Sequence, residues 1–122
     1  MNRRLGELEL AVMTCIWHLN RSVTVRETLN ALTSDKRRAY TTVMTVMDHL
    51  YAKGWLSRTR DARAYRYAAT TTYAEYSAAL MHEDLSVSEA PDREVFTALV
   101  ALLTPAQRQA ISAAVTASSS RA

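Results

Sequence analysis

Apolar residues recur with helical spacing along most of the chain, and this spacing predicts three helices before any strand. The first helix, residues 6–19, carries two apolar stripes, so both of its sides should be covered. The second begins after Thr24, because Thr24-Val-Arg-Glu27 has the form of a capping box. The third helix occupies residues 40–53, and Gly54 follows as its C-terminal stop.

The third helix has an unusual polar side. At 100° per residue, its apolar arc consists of Tyr40, Val43, Val46, Met47, Leu50 and Tyr51. The other side carries Thr41, Thr42, Thr45, Asp48, His49, Ala52 and Lys53. A solvent-facing helix ordinarily carries long charged side chains, whereas this one is short and hydroxylic at its N-terminal end. Another molecule could therefore approach it closely.

After Gly54 the pattern becomes typical of strands. Residues 55–60 and 65–68 are rich in aromatic and β-branched side chains, and the polar segment 61–64 between them contains Arg63. This arrangement predicts a β-hairpin with an arginine at its tip. The tip contains neither Asn-Gly nor Asp-Gly, so its turn type is left open.

From residue 70 onward the pattern is helical again. Thr72 and Thr104 are capping residues for two of three further helices, and Pro91 separates the first of these helices from the second. The order of elements predicts a mainly α protein with one small β-hairpin. It divides into a winged helix-turn-helix in residues 1–69, a helical dimerisation region in 70–117 and a disordered tail in 118–122.

The three C-terminal helices are too short and too thinly apolar to form a core of their own. Packing against a second copy of the chain, as a homodimer, would cover their apolar side chains. The residues assigned to this contact are Tyr73, Tyr76, Leu80, Val95, Phe96, Leu99, Ile111 and Val115.

The net charge of +3 conceals an asymmetry between two parts of the chain. Residues 1–67 carry twelve Lys or Arg and six Asp or Glu, whereas residues 68–122 carry three and six. The N-terminal part therefore has a charge of +6, which favours a polyanionic partner, while the C-terminal part has a charge of −3.

Other features of the composition narrow the class of protein. Cys15 is the only cysteine and lies in an apolar helical stripe, so the sequence predicts a buried thiol, no internal disulfide and a reducing, cytoplasmic location. No run of about 18 apolar residues could span a membrane, and acids follow the N-terminal arginines, unlike in a signal peptide. The three histidines are scattered, so neither a metal site nor a cofactor is expected, and no enzyme motif is found.

A helix-turn-helix protein inserts the second helix of the motif into the major groove of DNA and reads bases mainly with its N-terminal part. Here that part presents Thr41, Thr42 and Thr45, whose hydroxyls can contact base edges and whose methyl groups can pack on thymine. Basic side chains would contact phosphates from the helix, from its flanks and from the hairpin of residues 55–68, which is the wing of this fold. The predicted DNA-binding residues are Tyr40, Thr41, Thr42, Thr45, His49, Lys53, Arg38, Arg60 and Arg63, with Arg37, Arg58 and Arg66 as additional flanking charges.

Other interpretations of this surface stay open. The threonines could form an ordinary solvated face, and Arg63 could be a solvated turn residue. Alternatively, the surface could dock a protein, which would make the chain a winged-helix interaction module without sequence-specific DNA binding. That function explains the short side chains but not the charge of +6. A salt titration separates the two functions, because only phosphate binding weakens steeply with salt.

Several short segments follow one another in a characteristic order. They are Leu5-Gly-Glu-Leu-Glu9, Val12-Met13, Ile16-Trp17, Thr24-Val-Arg-Glu27, Tyr40-Thr-Thr-Val-Met-Thr45, Lys53-Gly54 and Ala64-Tyr-Arg-Tyr67. Together they resemble the penicillinase-repressor family of the BlaI/MecI type across residues 5–68, with a match by helix pattern alone over 70–118. The resemblance implies a homodimeric transcriptional repressor whose winged-helix domains bind the half-sites of a palindromic double-stranded DNA operator.

The resemblance also carries over residue by residue. It aligns Thr41, Thr42 and Thr45 with the family's recognition-helix residues and Arg63 with its wing arginine. His49 departs from the family's pattern, because many relatives place an arginine just before the leucine that corresponds to Leu50.

The sequence lacks the features through which members of this family are regulated. Resistance-linked repressors of this type are cut by a sensor metalloprotease at an Asn-Phe bond, and this chain contains no Asn-Phe; Ala98-Leu99 aligns there instead. A sensor protease is therefore left open as a partner. Related copper-responsive repressors use clustered C-terminal cysteines, so the single Cys15 argues against copper sensing.

Overall fold

A computed structural model describes residues 4–32 and 39–120. Its elements are α1 (Glu7–Leu19), α2 (Val25–Ala31), α3 (Tyr40–Ala52), β1 (Leu56–Asp61), β2 (Ala64–Ala69), α4 (Tyr73–Ser86), α5 (Asp92–Leu102) and α6 (Pro105–Ser120). This order confirms a mainly helical protein with one small hairpin. The basic turn at 34–38, including the predicted DNA contacts Arg37 and Arg38, lies outside the described residues.

The chain forms two compact units, one within residues 1–82 and one within 83–122. In the first unit, α1, α2, α3 and the hairpin surround one hydrophobic core. The fully or nearly fully buried members of that core are Val12, Met13, Ile16, Val23, Val25, Val43, Met47, Leu50, Leu56 and Tyr67. Helix α3 contributes Val43, Met47 and Leu50 of its apolar arc to the core, whereas Tyr40 and Tyr51 at the edges of the arc are exposed. This packing orients the opposite side of the helix outward.

Helix α1 buries one residue of each apolar stripe and leaves the other stripe residues half-buried. Val12, Met13 and Ile16 are buried, whereas Cys15 and Trp17 are only half-buried. The prediction of a buried Cys15 thiol was therefore too strong, although burial still raises the pKa of this thiol. Trp17 is fixed through its indole N–H, which donates to the Thr71 carbonyl at 2.6 Å.

Local sequence signals set the ends of the helices as predicted. The Thr24 hydroxyl accepts from the Glu27 N–H at 3.1 Å, and the Glu27 carboxylate accepts from the Thr24 N–H at 2.9 Å. The same reciprocal pairs occur between Thr72 and Glu75 and between Thr104 and Gln107. These contacts satisfy N–H groups that would otherwise lack partners at the helix N-termini.

Gly54 ends α3 in the predicted way. Its φ of +88° lies in the left-handed region, which glycine adopts without steric cost. Its N–H donates to the Tyr51 carbonyl at 3.0 Å, and the Trp55 N–H donates to the Leu50 carbonyl at 2.9 Å. Together these bonds form a Schellman motif, which directs the chain from α3 into β1.

The hairpin pairs β1 and β2 in antiparallel register from Leu56 opposite Ala69 to Asp61 opposite Ala64. Two residues, Ala62 and Arg63, remain for the loop. Ala62 has a φ of +56° and Arg63 is not in the positive region, which is the φ pattern of a type II′ turn. The structure thus defines the turn that the sequence left open, and Arg63 lies at its tip.

Residues 83–122 form a unit in which no residue is buried, among those that the structure describes. Phe96, Ile111 and Val115 expose 47%, 42% and 60% of their surface. Helix α6 continues to Ser120, three residues into the predicted disordered tail. The Ser120 hydroxyl donates to the Thr116 carbonyl at 3.1 Å, so this serine satisfies a backbone group one turn earlier.

In the part of the chain that the structure describes, the helices are too short or too polar to cross a membrane.

Candidate nucleic-acid interface

The predicted reading surface of α3 is uncovered. Thr41, Thr42 and Thr45 are exposed, while Val43 and Met47, on the opposite side of the helix, are fully buried. The separation follows from the helical period, which places the threonines away from the core. His49 is exposed one turn after Thr45, as predicted.

The Thr45 hydroxyl is oriented by its own helix. Its Oγ1 donates to the Thr41 carbonyl at 2.9 Å. With its proton used in this way, the hydroxyl presents acceptor lone pairs and the neighbouring methyl group to an approaching molecule. Those are the two chemical groups that base edges in the major groove can contact from a threonine.

Met44, which the sequence analysis assigned to neither side of α3, belongs to its exposed side. It is 36% exposed and lies one helical turn after Tyr40, which is 39% exposed. The helical wheel contains the signal for this placement, since positions 40, 44 and 48 form one row along the helix. The apolar side chain of Met44 by itself favours a buried position, so residue type does not predict this exposure.

Arg26 is a basic residue at this surface that the sequence analysis did not single out. Its guanidinium lies over the Tyr40 ring, 4.8 Å from the centroid, in cation–π geometry. The sequence pattern explained Arg26 only as an interior position of the Thr24 capping box. Its proximity to α3 depends on how α2 packs, which local sequence does not specify.

A groove of about 510 Å³ separates α3 from the wing. Arg26, Tyr40 and Met44 line one side of it, and Arg63 and Tyr65 line the other. Arg63 and Arg60 are both exposed, and Arg60 also lies 5.2 Å from the centroid of the Tyr65 ring. The hairpin therefore brings two of the predicted basic contacts to the same side of the unit as α3.

Lys53 is already paired, although the sequence predicted it to face phosphates. Its ammonium group lies 2.6 Å from Oε2 of Glu9, on α1. The other oxygen of that carboxylate accepts from the Gly6 N–H at 3.0 Å. Lys53 thus fastens the end of α3 to the start of α1 in the free protein.

Acidification is expected to destabilise the protein as Glu9 becomes protonated. The hydrogen bond from Lys53, followed by that from the Gly6 N–H, lowers the pKa of Glu9 below its ordinary value of 4.5. The unfolded chain binds this proton at higher pH than the folded protein does, so the free energy of unfolding falls as the pH drops from about 5 through the folded-state pKa. The Thr24 and Thr72 N–H groups lower the pKa of Glu27 and Glu75, which adds to this effect with the same sign.

Urea titrations at neutral pH and between about pH 5 and pH 3 measure this loss of stability. Glu9→Gln should lose less stability over that range than the wild type does. Glu7→Gln, at an exposed neighbouring position of α1, should keep the wild-type profile. Identical profiles for all three proteins would contradict the role given to Glu9.

Arg66 also binds groups within the protein and does not extend freely from its surface. Its guanidinium lies 3.2 Å from the Glu27 carboxylate and donates to the Ser22 carbonyl at 3.1 Å. Both partners belong to the segment around the start of α2. Arg66 therefore ties β2 to that segment, which the sequence could not show because the partners lie about 40 residues apart.

A family model described as penicillinase repressor matches residues 5–117. The chain belongs to the penicillinase-repressor family. This finding confirms the resemblance noted in the sequence and extends it over the C-terminal helices.

Two curated relatives of this penicillinase-repressor chain carry the name Transcriptional regulator BlaI. They come from Mycobacterium tuberculosis strains CDC 1551 / Oshkosh and ATCC 25618 / H37Rv, and each is 43% identical over 86 residues. The aligned region covers 70% of this chain and 62% of each relative, so the chain spans less than two thirds of their length. The solution structure of the DNA-binding domain of the repressor BlaI matches with a TM-score of 0.52 at 24% identity, covering 61% of this chain and 89% of that domain. This last similarity concerns the fold, and it confirms the predicted winged helix.

One residue assigned to the dimer contact of this penicillinase-repressor chain belongs to the core of the first unit instead. Tyr76 is 4% exposed, and its hydroxyl accepts from the Leu5 N–H at 3.2 Å. Its ring lies 5.6 Å from that of Trp17 and 5.5 Å from that of Trp55, measured between centroids. These contacts leave the Tyr76 side chain without accessible surface for a partner chain.

The other residues assigned to dimerisation keep accessible surface. Phe96, Ile111 and Val115 are exposed, as is Tyr73, although its ring also contacts that of Trp17 at 4.9 Å. Half-buried side chains complete the set: Leu80, Val95 and Leu99. The Ala98-Leu99 bond, which the sequence analysis aligned with an Asn-Phe bond, lies inside α5.

Across residues 4–32 and 39–120, no three His, Cys, Asp or Glu side chains are grouped where they could hold a metal ion.

Proposed function

We propose that this protein is a homodimeric, sequence-specific DNA-binding repressor that acts by occupying palindromic operators. The observation that carries the proposal is the uncovered hydroxylic surface of α3, formed by Thr41, Thr42 and Thr45. Inserted into the major groove, this surface would read base edges through threonine hydroxyls and methyl groups. The short side chains would allow the helix backbone to approach the bases closely.

The charge distribution supports a nucleic acid as the partner. Residues 1–67 carry a charge of +6, and Arg26, Arg60 and Arg63 lie around the groove that separates α3 from the wing. In this arrangement α3 specifies the sequence, while the wing holds the duplex backbone and fixes the position of the protein on it. A protein-docking surface would not require this excess of positive charge.

The unit formed by residues 83–122 supports assembly with a second copy. Its described residues expose Phe96, Ile111 and Val115 and bury none of their side chains, so this unit gains little stability by itself. Pairing with the same segment of another chain would cover these side chains. A dimer would also place two reading helices on one operator and raise the affinity through effective concentration.

Replacing Arg63 by alanine is expected to weaken binding to all duplexes to a similar extent. Arg63 lies at the tip of the wing, where a contact with phosphate carries no sequence information. Each lost phosphate contact lowers the slope of log K against log salt concentration by about one. Fluorescence anisotropy over a salt series, with an operator selected from random DNA and with an unrelated duplex, measures both quantities.

Arg93→Ala serves as the matched control, because it removes the same charge from the exposed surface of α5. It should leave the salt dependence unchanged. If wild-type binding to DNA depended only weakly on salt, the protein would instead be an interaction module that docks a protein on its threonine surface.

A further inference from the structure

Arg58 is held at the base of the wing by contacts on several sides. Its guanidinium lies between two aromatic rings, 4.0 Å from the centroid of Tyr51 and 4.1 Å from that of Tyr65. Nη1 donates to Oδ1 of Asp48 at 3.2 Å, and only 25% of the arginine side chain is exposed. The sequence placed Arg58 among the charges that flank the DNA. In the structure its guanidinium instead contacts a carboxylate and two aromatic rings of the protein itself.

Asp48 joins this arginine to the core. The same oxygen, Oδ1, accepts from the hydroxyl of Tyr67 at 2.9 Å. Tyr67 is 2% exposed, lies opposite Arg58 in the hairpin register, and exchanges two backbone hydrogen bonds with Val23 at 2.8 and 2.7 Å. Burial, and then the bond to Asp48, raises the pKa of the Tyr67 hydroxyl, which keeps it protonated as a donor.

These contacts connect α3, the helix proposed to read bases, to the wing. Asp48 and Tyr51 belong to α3, Arg58 to β1, and Tyr65 and Tyr67 to β2. Asp48 lies one turn after Met44, on the row of α3 that lines the groove beside the wing. A carboxylate at this position opposes phosphate binding by its charge, so its presence calls for another role.

We propose that Asp48 and Arg58 are positioning residues that fix the wing relative to α3, so that Arg63 and the threonine surface engage one duplex together. The inference rests on the proposed DNA-binding function. A wing already held in place loses less conformational freedom when DNA binds, which favours affinity without any contact between Arg58 and DNA. The opposing interpretation is that Arg58 is itself a phosphate contact.

A double-mutant cycle separates these two roles of Arg58. Binding of Arg58→Met, Arg63→Ala and the double variant is measured by anisotropy over a salt series, on an operator that the wild-type protein selects from random DNA. If Arg58 acts through the wing, Arg58→Met lowers the affinity about as much as Arg63→Ala does, on the order of tenfold, and the double variant is no weaker than the singles. The salt slope of the double variant then falls by about one. Additive losses together with a slope that falls by about two would overturn the inference.

Two further variants test the geometry independently of charge. Arg58→Lys keeps the positive charge but lacks the planar guanidinium that stacks between the tyrosines, so it should restore little of the affinity. Asp48→Asn removes a negative charge from the groove, yet it should weaken operator binding because a neutral amide oxygen holds Arg58 less tightly than the carboxylate does. Full recovery with Arg58→Lys, or tighter operator binding by Asp48→Asn, would contradict the proposal.

The free protein gives a measurement that does not depend on DNA. Hydrogen exchange at the amides of residues 57–68 should accelerate in Arg58→Met and Asp48→Asn but not in the control Arg63→Met, which removes an exposed side chain at the tip of the wing, while urea unfolding shows that all variants remain folded. Unchanged exchange in the first two variants would overturn the inference. If exchange accelerates while Arg63→Ala has no effect on DNA affinity, the wing's proposed contact with DNA fails and the positioning of the wing stands.

Discussion

Ile111→Asp is expected to convert the protein to monomers and to lower its affinity for a two-half-site operator by about a hundredfold or more. Ile111 is 42% exposed on α6, in a unit whose described residues bury no side chain. In the proposed dimer Ile111 would be covered by the partner chain, and a carboxylate there would lose its hydration on association, which opposes it. Loss of the dimer removes the gain from linked half-sites, which amounts to about 10²–10⁴ in affinity. Phe96→Asp on α5 should have the same effect.

Light scattering coupled to size-exclusion chromatography measures the mass, and anisotropy on full and half operators measures the binding. Gln109→Asp is the matched control, because it places the same carboxylate at an exposed polar position of α6. Affinity for a single half-site should change little in any of these variants. A dimeric Ile111→Asp protein would show that α6 does not carry the contact.

Thr45→Ala is expected to weaken binding to the selected operator by about 1–3 kcal/mol while leaving binding to unrelated DNA nearly unchanged. The Thr45 hydroxyl donates to the Thr41 carbonyl, so in the proposed complex it would meet DNA as an acceptor with a methyl group beside it. Thr45→Val keeps the shape and removes the acceptor, whereas Thr45→Ser keeps the acceptor and removes the methyl group. Comparison of the two shows which group the operator contacts.

Thr97→Ala is the control for loss of the intrahelical bond. Thr97 is exposed on α5 and donates to the Arg93 carbonyl at 2.7 Å, as Thr45 donates to that of Thr41. Its replacement should leave both specific and nonspecific binding unchanged. An equal loss on the selected and the unrelated duplex for Thr45→Ala would refute the reading role of this residue.

Much of the fold could be predicted from the sequence because its signals are local. The Thr24, Thr72 and Thr104 caps and the Gly54 stop each involve residues within a few positions of one another. Helical period then placed the threonines of α3 opposite the core. The exposed surface of the candidate site was therefore predictable.

What could not be predicted was the choice of partner for long side chains. Lys53 and Glu9 are 44 residues apart, and Tyr76 and Leu5 are 71 apart. A lysine at a helix end and a tyrosine in an amphipathic helix each suit several environments, and only the packing of α1 against α3 and against the beginning of α4 decides among them. The contacts of Arg58 could not be predicted for the same reason, because a basic residue in a strand does not reveal the carboxylate and rings around it.

The surroundings of Tyr76 provide a built-in optical probe. The chain has two tryptophans, Trp17 and Trp55, and the rings of both pack against that of Tyr76. Detachment of the beginning of α4 would admit water to both indoles at once and shift their emission to longer wavelength. The intrinsic fluorescence of the unlabelled protein should thus report whether the beginning of α4 stays packed on both indoles during unfolding and when DNA is added.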